Sequence, residues 1–346
     1  MTRKTLELSL ALFMLVIGVI LTGVEPGMRF DSQGSVPAYL SYTRGHGQVD
    51  NNGMASHGSK VGDRRAGFQE QPGERSASEL KEQPADQAAN SDCIVRREPG
   101  ATYVIYINWD GFAYRYYEWA NGPGGPGTPI LNYLASRGAI FADVHNGFPG
   151  TTVPMQTSIV TGAWPAVHGN THLYYDPVEN VVKQMNRENS SETIGEVVAE
   201  SSLSSAAVQQ FALEGRGTWT DDPRHLYVQP SGSWHNRVAE AIKILKQEEV
   251  KTGDRQRVIV PEIPRFLAIY ADDLDATGHN LGISYGFSLA LNYEAWKANL
   301  IRKLAYMDSG LGLLVDALGE LGILDQTAII LTSDHGMSHF TGKTSL

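Results

Sequence analysis

The sequence predicts an α/β fold built on a mainly parallel central sheet. Short apolar runs alternate with longer stretches of helical periodicity between residues 99 and 346, which is the pattern of strands joined by helical crossovers. Several of these runs end at an acidic residue, and open α/β sheets bind ligands at the carboxyl ends of their strands. A chain of 346 residues, 42% of them hydrophobic, is large enough to bury a full core.

Five apolar runs are the candidate strands, and helical segments separate them. The strands are expected at 103–108, 139–144, 205–211, 265–270 and 327–332. The helices are expected at 128–136, 191–200, 234–247 and about 291–318. Segments of this length are typical of right-handed crossovers between parallel strands. We therefore expect the strands to form one sheet with helices packed against it.

Residues 1–24 differ from the rest of the chain, because Arg3 and Lys4 precede an apolar run over residues 8–24. The length of this run lies between the core of a signal peptide and a membrane-spanning helix, so a cleaved signal and an uncleaved membrane anchor both fit. Either one predicts an extracytoplasmic protein, secreted or tethered to the outer face of the cytoplasmic membrane. The single Cys93 agrees with an exported protein that is held together without disulfides.

Residues 25–98 are rich in Gly, Ser, Asn, Gln and charged residues. Such a composition buries too little apolar surface to offset the entropy of ordering, which predicts a flexible low-complexity spacer. A folded α/β domain is expected to occupy residues 99–346. The formal net charge of -10 argues against a groove for a nucleic-acid polymer, because such grooves need clustered positive charge.

Three of the predicted strands are followed by candidate metal ligands. The ligands are Asp110 after the first strand, Asp275 and His279 after the fourth, and Asp334 and His335 after the fifth. Parallel strands present their carboxyl ends at one edge of the sheet, so these side chains are expected to meet in one crevice. Mixed Asp and His ligands suit zinc or a similar divalent ion, which would also relieve the repulsion between carboxylates. Taken singly, each motif has an alternative as a turn or helix cap.

The segment FPGTTVPMQTSIVTG, residues 148–162, places Thr152 at the expected start of another helix. Pro154 is tolerated in the first turn because its missing N–H has no helical acceptor there, which puts Thr152 near the N-cap. Its hydroxyl then lies at the positive end of a helix dipole, where an anion such as phosphate is favoured. An ordinary Thr cap is the alternative. Beside a metal site, this hydroxyl is a candidate nucleophile.

Four segments in order, NWDGF, TTVPMQTSIVTGAWPAVHG, DLDATGHNLG and GLLVDALGELGILDQTAIILTSDHGM, resemble the type I phosphodiesterase/nucleotide pyrophosphatase family of the alkaline phosphatase superfamily. The resemblance covers nearly all of residues 100–346. It implies an alkaline phosphatase-like α/β/α sandwich and a hydrolase of phosphoric esters, of the phosphodiester or nucleotide pyrophosphate type. The implied substrate is a small-molecule phosphate ester. Thr152 is the implied nucleophile and would form a covalent phospho-threonine intermediate.

The resemblance also implies two divalent metal ions, usually Zn2+. One ion would be held by Asp110, Thr152, Asp334 and His335, and the other by Asp275, His279 and a further histidine late in the domain. That histidine has no evident counterpart, since His339 follows His335 too closely to match it. The domain is therefore expected to be C-terminally incomplete. His168, in the segment PAVHG, is expected to be a structural turn residue.

Two alternatives to the diesterase remain open. A phosphomonoesterase on the same scaffold would have similar metal ligands and would differ only in the pocket around the non-bridging oxygens. A catalytically impaired metal-binding remnant would lack the last zinc ligand. A sulfatase of the same superfamily is excluded, because it needs a Cys or Ser nucleophile in a C/S-x-P-x-R setting, and the segment around Thr152 has neither that residue nor the Arg.

Overall fold

The computed structural model describes residues 100–185, 187–253, 255–280 and 289–339. The predicted signal or anchor at 1–24 and the predicted spacer at 25–98 lie outside the described residues. In chain order the strands are β1 (Tyr103–Trp109), β2 (Leu173–Asp176), β3 (Val181–Gln184), β4 (Ser205–Val208), β5 (His225–Val228), β6 (Val250–Lys251), β7 (Arg257–Val258), β8 (Phe266–Ala271) and β9 (Thr327–Thr332). The α-helices are α1 (Tyr114–Asn121), α2 (Pro129–Arg137), α3 (Thr152–Thr161), α4 (Pro165–His168), α5 (Ile194–Glu200), α6 (Trp234–Leu245), α7 (Asp273–Gly278) and α8 (Tyr293–Glu320).

Five of the strands form the central sheet, in the order β5-β4-β8-β1-β9. All of its neighbouring strands are parallel. β1 lies between β8 and β9, and Asn108 near its end is level with Tyr270 of β8 and Thr332 of β9. The chain segments that leave these three strands therefore start side by side. β2 with β3 and β6 with β7 form two separate antiparallel pairs.

Helices cover both faces of the sheet, because alternate strand residues point to opposite sides. On one face, Ile105 and Ile107 of β1 pack in a cluster with residues of α6 and α8. On the other face, Val104 and Tyr106 pack in a cluster that includes Val160 of α3 and residues of α5. This three-layer arrangement confirms the predicted α/β/α sandwich with a parallel central sheet.

Four of the five predicted strands form, and the run at 139–144 does not. Ile140, Phe141 and Val144 in that run are 42%, 49% and 57% exposed, so its apolar side chains find no sheet to pack on. Strand β5 was not predicted, because it is only four residues long and follows a polar segment of the chain. All four predicted helices form, with ends shifted by a few residues. Within the described ranges, no helix combines the length and apolar character needed to cross a membrane.

Candidate active site

The candidate site lies where β8, β1 and β9 end, which is the edge of the sheet that the sequence indicated. Asp110 follows β1 directly, Asp275 lies in α7 just after β8, and Asp334 and His335 follow β9. The backbone N–H of Asp110 donates to the carbonyl of Ala271 at 2.8 Å, and Asp275 N–H donates to the carbonyl of Asp110 at 3.1 Å. The backbone thus holds the ends of β1 and β8 together.

Gly111 is the residue that allows this close approach. Its φ is +74°, and a Cβ at this position would lie 3.0 Å from the Cα of Asp275. Any larger side chain would therefore force the two loops apart. The N–H of Gly111 also donates to Oδ1 of Asp334 at 3.4 Å, which ties the end of β1 to the loop after β9.

The loop after β9 is fixed by its own serine. The Ser333 hydroxyl accepts the N–H of Phe112 at 2.9 Å and donates to the carbonyl of His335 at 2.5 Å. Oδ1 of Asp334 accepts the N–H of His335 at 3.0 Å. As a result, Oδ2 of Asp334 and the ring of His335 are aimed toward Asp110, with His335 Nε2 3.3 Å from Asp110 Oδ1 and 3.9 Å from Asp334 Oδ2.

Thr152 is the first residue of α3 and directly follows the N-cap, in agreement with the expected position near the N-cap. The N-cap is Thr151, and its side chain makes no capping hydrogen bond. Oγ1 of Thr152 lies 3.3 Å from Asp110 Oδ2 and 3.1 Å from His335 Nε2. The start of α3 therefore carries the threonine hydroxyl into the carboxylate and histidine cluster, with the positive end of the helix dipole behind it.

Asp275 and His279 lie one helical turn apart at the end of α7. His279 Nε2 is 3.4 Å from Asp275 Oδ1, and the His279 side chain is 60% exposed. His279 is thus on the rim of the site, whereas Asp110 and Asp334 are each only 2% exposed. His339 does not join the site; its ring packs edge-on against Tyr293 and Trp296.

In the protein without a cation, burial disfavours the ionised forms of these carboxyl groups. Burial, followed by the negative charges of Asp334 and Asp275, raises the pKa of Asp110 to about 9. Burial also raises the pKa of Asp334 to about 6 and raises the pKa of Asp275. A divalent cation would remove this penalty, since it favours the charged form of each carboxylate.

The donor atoms fit such a cation. Asp110, Asp275 and His335 each offer one ligand atom, and the three atoms lie within 4.8 Å of one another. In the part of the chain that the structure describes, Oδ1 of Asp110 and Oδ2 of Asp334 are buried without a hydrogen bond. Buried carboxylate oxygens are normally paired, so these two have the character of metal ligands. The three-residue group draws members from both of the ligand sets that the sequence suggested.

Two residues near the site were missed by the sequence analysis. Tyr270, near the end of β8, donates its hydroxyl to Oδ2 of Asp110 at 2.5 Å. Gln156 of α3 is fully buried and donates to Asn108 Oδ1 at 2.6 Å, which anchors α3 on the end of β1. Gln156 carries no clear signal, because five of the ten residues of its helix, TVPMQTSIVT, are polar. Tyr270 carries none, since tyrosine is common in buried strands.

A groove of about 940 Å³ adjoins α3 on the side of β8 and β4. Val153, Phe211, Arg187 and Arg216 contribute to its lining. The Phe211 ring packs edge-on against Tyr270 with 5.4 Å between ring centroids, which links the groove to the carboxylate cluster. The two arginines are ion-paired with Glu214 and Glu196 respectively. The groove is therefore polar and apolar in part, and Val153, which follows Thr152 in α3, lies in its lining.

Comparison with known proteins identifies relatives over the same part of the chain. A family model described as type I phosphodiesterase/nucleotide pyrophosphatase matches residues 104–345. Human ectonucleotide pyrophosphatase/phosphodiesterase family member 1 is 26% identical over 268 residues, 76% of this chain and 26% of that protein. Bovine bis(5'-adenosyl)-triphosphatase ENPP4 is 26% identical over 248 residues, 68% of this chain and 47% of that protein. The chain thus spans about a quarter to a half of the length of these relatives.

Solved structures give the same picture for the fold. Murine ectonucleotide pyrophosphatase/phosphodiesterase 5 superposes with a TM-score of 0.50 at 21% identity, over 68% of this chain and 57% of that one. An inactive threonine-to-alanine variant of the murine protein, in complex with AMP, superposes with a TM-score of 0.51 at 20% identity. At this identity the similarity concerns the fold, and it agrees with the three-layer sandwich.

Proposed function

Because the chain belongs to the type I phosphodiesterase/nucleotide pyrophosphatase family, we propose that it hydrolyses phosphodiesters or nucleotide pyrophosphates, with Thr152 as the nucleophile. The observation that carries the proposal is the position of Thr152 Oγ1, within 3.3 Å of Asp110 Oδ2 and 3.1 Å of His335 Nε2. A threonine hydroxyl is a weak nucleophile until neighbouring groups activate it. The same carboxylate and imidazole are proposed below as metal ligands, and a divalent ion held beside this hydroxyl would favour the loss of its proton.

The reaction would proceed in two displacements at phosphorus. Oγ1 of Thr152 forms a bond to phosphorus while the bond to the leaving alcohol or phosphate breaks, and the product of this step is a phospho-threonine. A water molecule then attacks phosphorus, the bond to Oγ1 breaks, and Thr152 regains its proton. The N-terminus of α3 favours the negative phosphoryl group throughout, because its backbone N–H groups and dipole point toward it.

The metal ligands proposed for this site are those implied by the resemblance. Asp110, Thr152, Asp334 and His335 would hold one divalent ion, and Asp275 and His279 would contribute to a second, with zinc as the expected metal. Bound divalent ions supply Lewis-acid stabilisation of charge on the phosphoryl oxygens and lower the pKa of water. The orphaned oxygens of Asp110 and Asp334 support this assignment.

The substrate is proposed to be a nucleotide or another small phosphate ester. The murine relative named above binds AMP, and the groove beside Thr152 has room for the non-reacting part of such a molecule. Phe211 offers an aromatic ring in that groove, on which a base can stack. The human relative is named as an ectonucleotide pyrophosphatase/phosphodiesterase, which supports an extracytoplasmic location for this chain as well.

The test is hydrolysis of bis-p-nitrophenyl phosphate and p-nitrophenyl phosphate by the purified full chain with added zinc. We expect faster turnover of the diester and a loss of roughly a thousandfold or more in Thr152→Ala, since removal of a nucleophile costs that much in other enzymes. Thr157→Ala is the matched control, because Thr157 lies on the same helix and its hydroxyl donates to the carbonyl of Val153 within that helix. Turnover by Thr152→Ala at the rate of the parent would refute the assignment of Thr152 as the nucleophile. Absence of zinc-dependent turnover by the parent would refute the proposed hydrolase activity.

A further inference from the structure

The two oxygens of the Asp110 carboxylate have different environments. Oδ2 accepts the hydroxyl of Tyr270 at 2.5 Å and lies 3.3 Å from the hydroxyl of Thr152. Oδ1 is buried, has no hydrogen bond among the described residues, and lies 3.3 Å from Nε2 of His335. A carboxylate that is free to rotate would exchange these two oxygens. The two oxygens keep these different environments only while the Asp110 carboxylate is held in one orientation.

Tyr270 is placed to do so by the register of the sheet. It lies level with Asn108 of β1, two residues before Asp110. Alternation along β8 turns its ring to the face of the sheet that α3 covers, together with Phe266 and Ala268. The side chains of Tyr270 and Asp110 are thereby neighbours on adjacent parallel strands. Their hydrogen bond spans 160 positions in the sequence.

The Tyr270 side chain is itself immobilised. The residue is only 7% exposed. One edge of the ring contacts Phe211 with 5.4 Å between ring centroids, and the guanidinium of Arg237 lies 5.8 Å from the centre of the ring. Arg237 Nη1 donates to the carbonyl of Tyr270 at 3.1 Å, and Nη2 donates to Asp272 at 2.6 Å. A phenol that is fixed at both its backbone and its ring makes a rigid donor for Asp110.

We propose that Tyr270 is a positioning residue that fixes the Asp110 carboxylate so that Oδ1 is the atom presented to the metal ion. The inference rests on the proposed function, because that function assigns Asp110 to a metal ion together with Thr152, Asp334 and His335, and the nearby ligand atoms of Asp110, Asp275 and His335 support a metal here. Partners that hydrogen-bond a ligand from behind typically change metal affinity by about 10- to 100-fold. Oδ2 of Asp110 accepts the hydroxyl of Tyr270 and also lies beside the hydroxyl of Thr152. The same hydrogen bond therefore fixes the position of Oδ2 relative to the proposed nucleophile.

The experiment measures zinc affinity directly, by competition between the full chain and a chromogenic chelator. Tyr270→Phe keeps the ring against Phe211 and removes only the hydroxyl, so the fold is retained, and thermal unfolding of the zinc-free protein checks it. We expect zinc affinity to fall by roughly 10- to 100-fold. Tyr227→Phe is the matched control, because Tyr227 is a buried tyrosine on β5, two strands away from β8, and it should leave zinc affinity unchanged.

A second measurement uses Co2+ in place of zinc, because the visible absorption of bound cobalt reports the geometry of its ligands. The spectrum of Tyr270→Phe should differ from that of the parent, whereas the spectrum of Tyr227→Phe should match it. The role of Tyr270 would be overturned if Tyr270→Phe bound zinc as tightly as the parent and gave the same cobalt spectrum. Loss of zinc binding in Asp110→Asn would show in that case that the proposed metal site itself stands. Absence of zinc binding by the parent would overturn the proposed function and this inference with it.

Discussion

Oγ1 of Thr152 lies 3.1 Å from Nε2 of His335, although 183 positions separate the two residues in the chain. The contact exists because the first turn of α3 meets the loop that leaves β9. A hydroxyl in this position is next to an imidazole on one side and to the Asp110 carboxylate on the other. The contact places the proposed nucleophile among the proposed metal ligands.

We predict that Thr152 becomes covalently phosphorylated during turnover. Rapid acid quenching of the zinc-loaded protein with a diester substrate should trap the intermediate, and mass spectrometry of the digested chain should find the added phosphoryl group on Thr152. Thr152→Ser should carry the group on the serine, because it keeps the oxygen nucleophile. A chain that turns over substrate without any such modification would indicate direct attack by water instead.

The raised pKa of Asp110 predicts that the stability of the zinc-free protein depends on pH. The pKa of Asp110 is raised to about 9, mainly by burial, so the folded protein binds a proton that the unfolded chain releases near pH 3.8. The contribution of this group to stability is therefore present at low pH and is lost as the pH rises toward about 9. The slope is up to about 1.4 kcal/mol per pH unit for one proton.

Asp110→Asn should remove that slope. With a chelator present, we expect the variant to unfold at a higher temperature than the parent at about pH 8 and to lose this advantage as the pH approaches about 4. Added zinc should stabilise the parent and not the variant, because a ligand that binds only the folded form raises its stability. Identical melting curves for the two proteins in chelator would show that Asp110 carries no such penalty.

His168 should make the protein less stable in mild acid. Burial lowers the pKa of His168 below its ordinary value of 6.5. Its Nδ1 accepts the N–H of Asn170 at 3.0 Å, and its other nitrogen lies 2.9 Å from the hydroxyl of Ser158, which fits a neutral ring. Because the folded-state pKa is depressed, this contribution to stability is present above pH 6.5 and is lost as the pH falls below it.

The measurement compares thermal unfolding of the parent and His168→Gln at about pH 7.5 and about pH 5. The variant should be less stable at the higher pH, by about 1 kcal/mol, because a buried hydrogen bond is lost. It should then lose less stability than the parent on acidification. His225 and His235, whose pKa values are also lowered by burial, are present in both proteins and do not affect the comparison. Parallel losses would exclude His168 as the acid-sensitive group.

Lys303 and Asp273 form a buried ion pair, and replacement of one partner alone should strongly destabilise the folded protein. Lys303 Nζ lies 3.6 Å from Asp273 Oδ1, and both side chains are almost fully buried. Oδ2 of Asp273 accepts the N–H of Trp234 at the start of α6. Lys303→Met leaves the carboxylate without its cation, and we expect a loss of about 3 to 5 kcal/mol in the free energy of unfolding.

Asp273→Asn in the same chain should restore much of that loss. The asparagine removes the uncompensated charge and keeps an oxygen acceptor for Trp234. Denaturant unfolding of the parent, the two single variants and the double variant gives the coupling energy of the pair. Additive losses in the double variant would show that the two side chains do not interact across their 3.6 Å separation.

The sequence was sufficient to predict most of the fold, because the buried parallel strands are continuous apolar runs. The run at 327–332 matches β9 residue for residue. The run at 139–144 is also mostly apolar and forms no strand, since pairing depends on a free sheet edge and on burial, which local composition does not encode. β5 was missed for the converse reason, because its four residues gain their strand conformation from pairing with β4.

The candidate site was predicted to a similar degree. The motifs that follow β1, β8 and β9 gave Asp110, Asp275 and His335, and the strand order brings these residues together. Tyr270 could not be predicted, because its role depends on which face of β8 it occupies and on its register with β1. Both are properties of the assembled sheet. A single-residue shift would turn the phenol to the opposite face.

Gly217 should tolerate no side chain. Its φ is +99°, and a Cβ there would lie 2.0 Å from the carbonyl carbon of Gly195 in α5. We expect Gly217→Ala to cost roughly 3 kcal/mol or more, because it adds backbone strain to a clash with another backbone. Neighbouring Arg216, which bonds Glu196 of α5 and lines the groove beside Thr152, would shift with it.

Gly253→Ala is the matched control for Gly217→Ala. No atom lies within 4 Å of the position a Cβ would take at Gly253, so its stability should stay within about 0.5 kcal/mol of the parent. Denaturant unfolding of both variants tests the expectation, and diester turnover by Gly217→Ala reports whether the groove has moved. Equal stability of the two variants would mean that α5 can move to accommodate a Cβ at Gly217. The packing of Gly195 on Gly217 would then not be what fixes the groove.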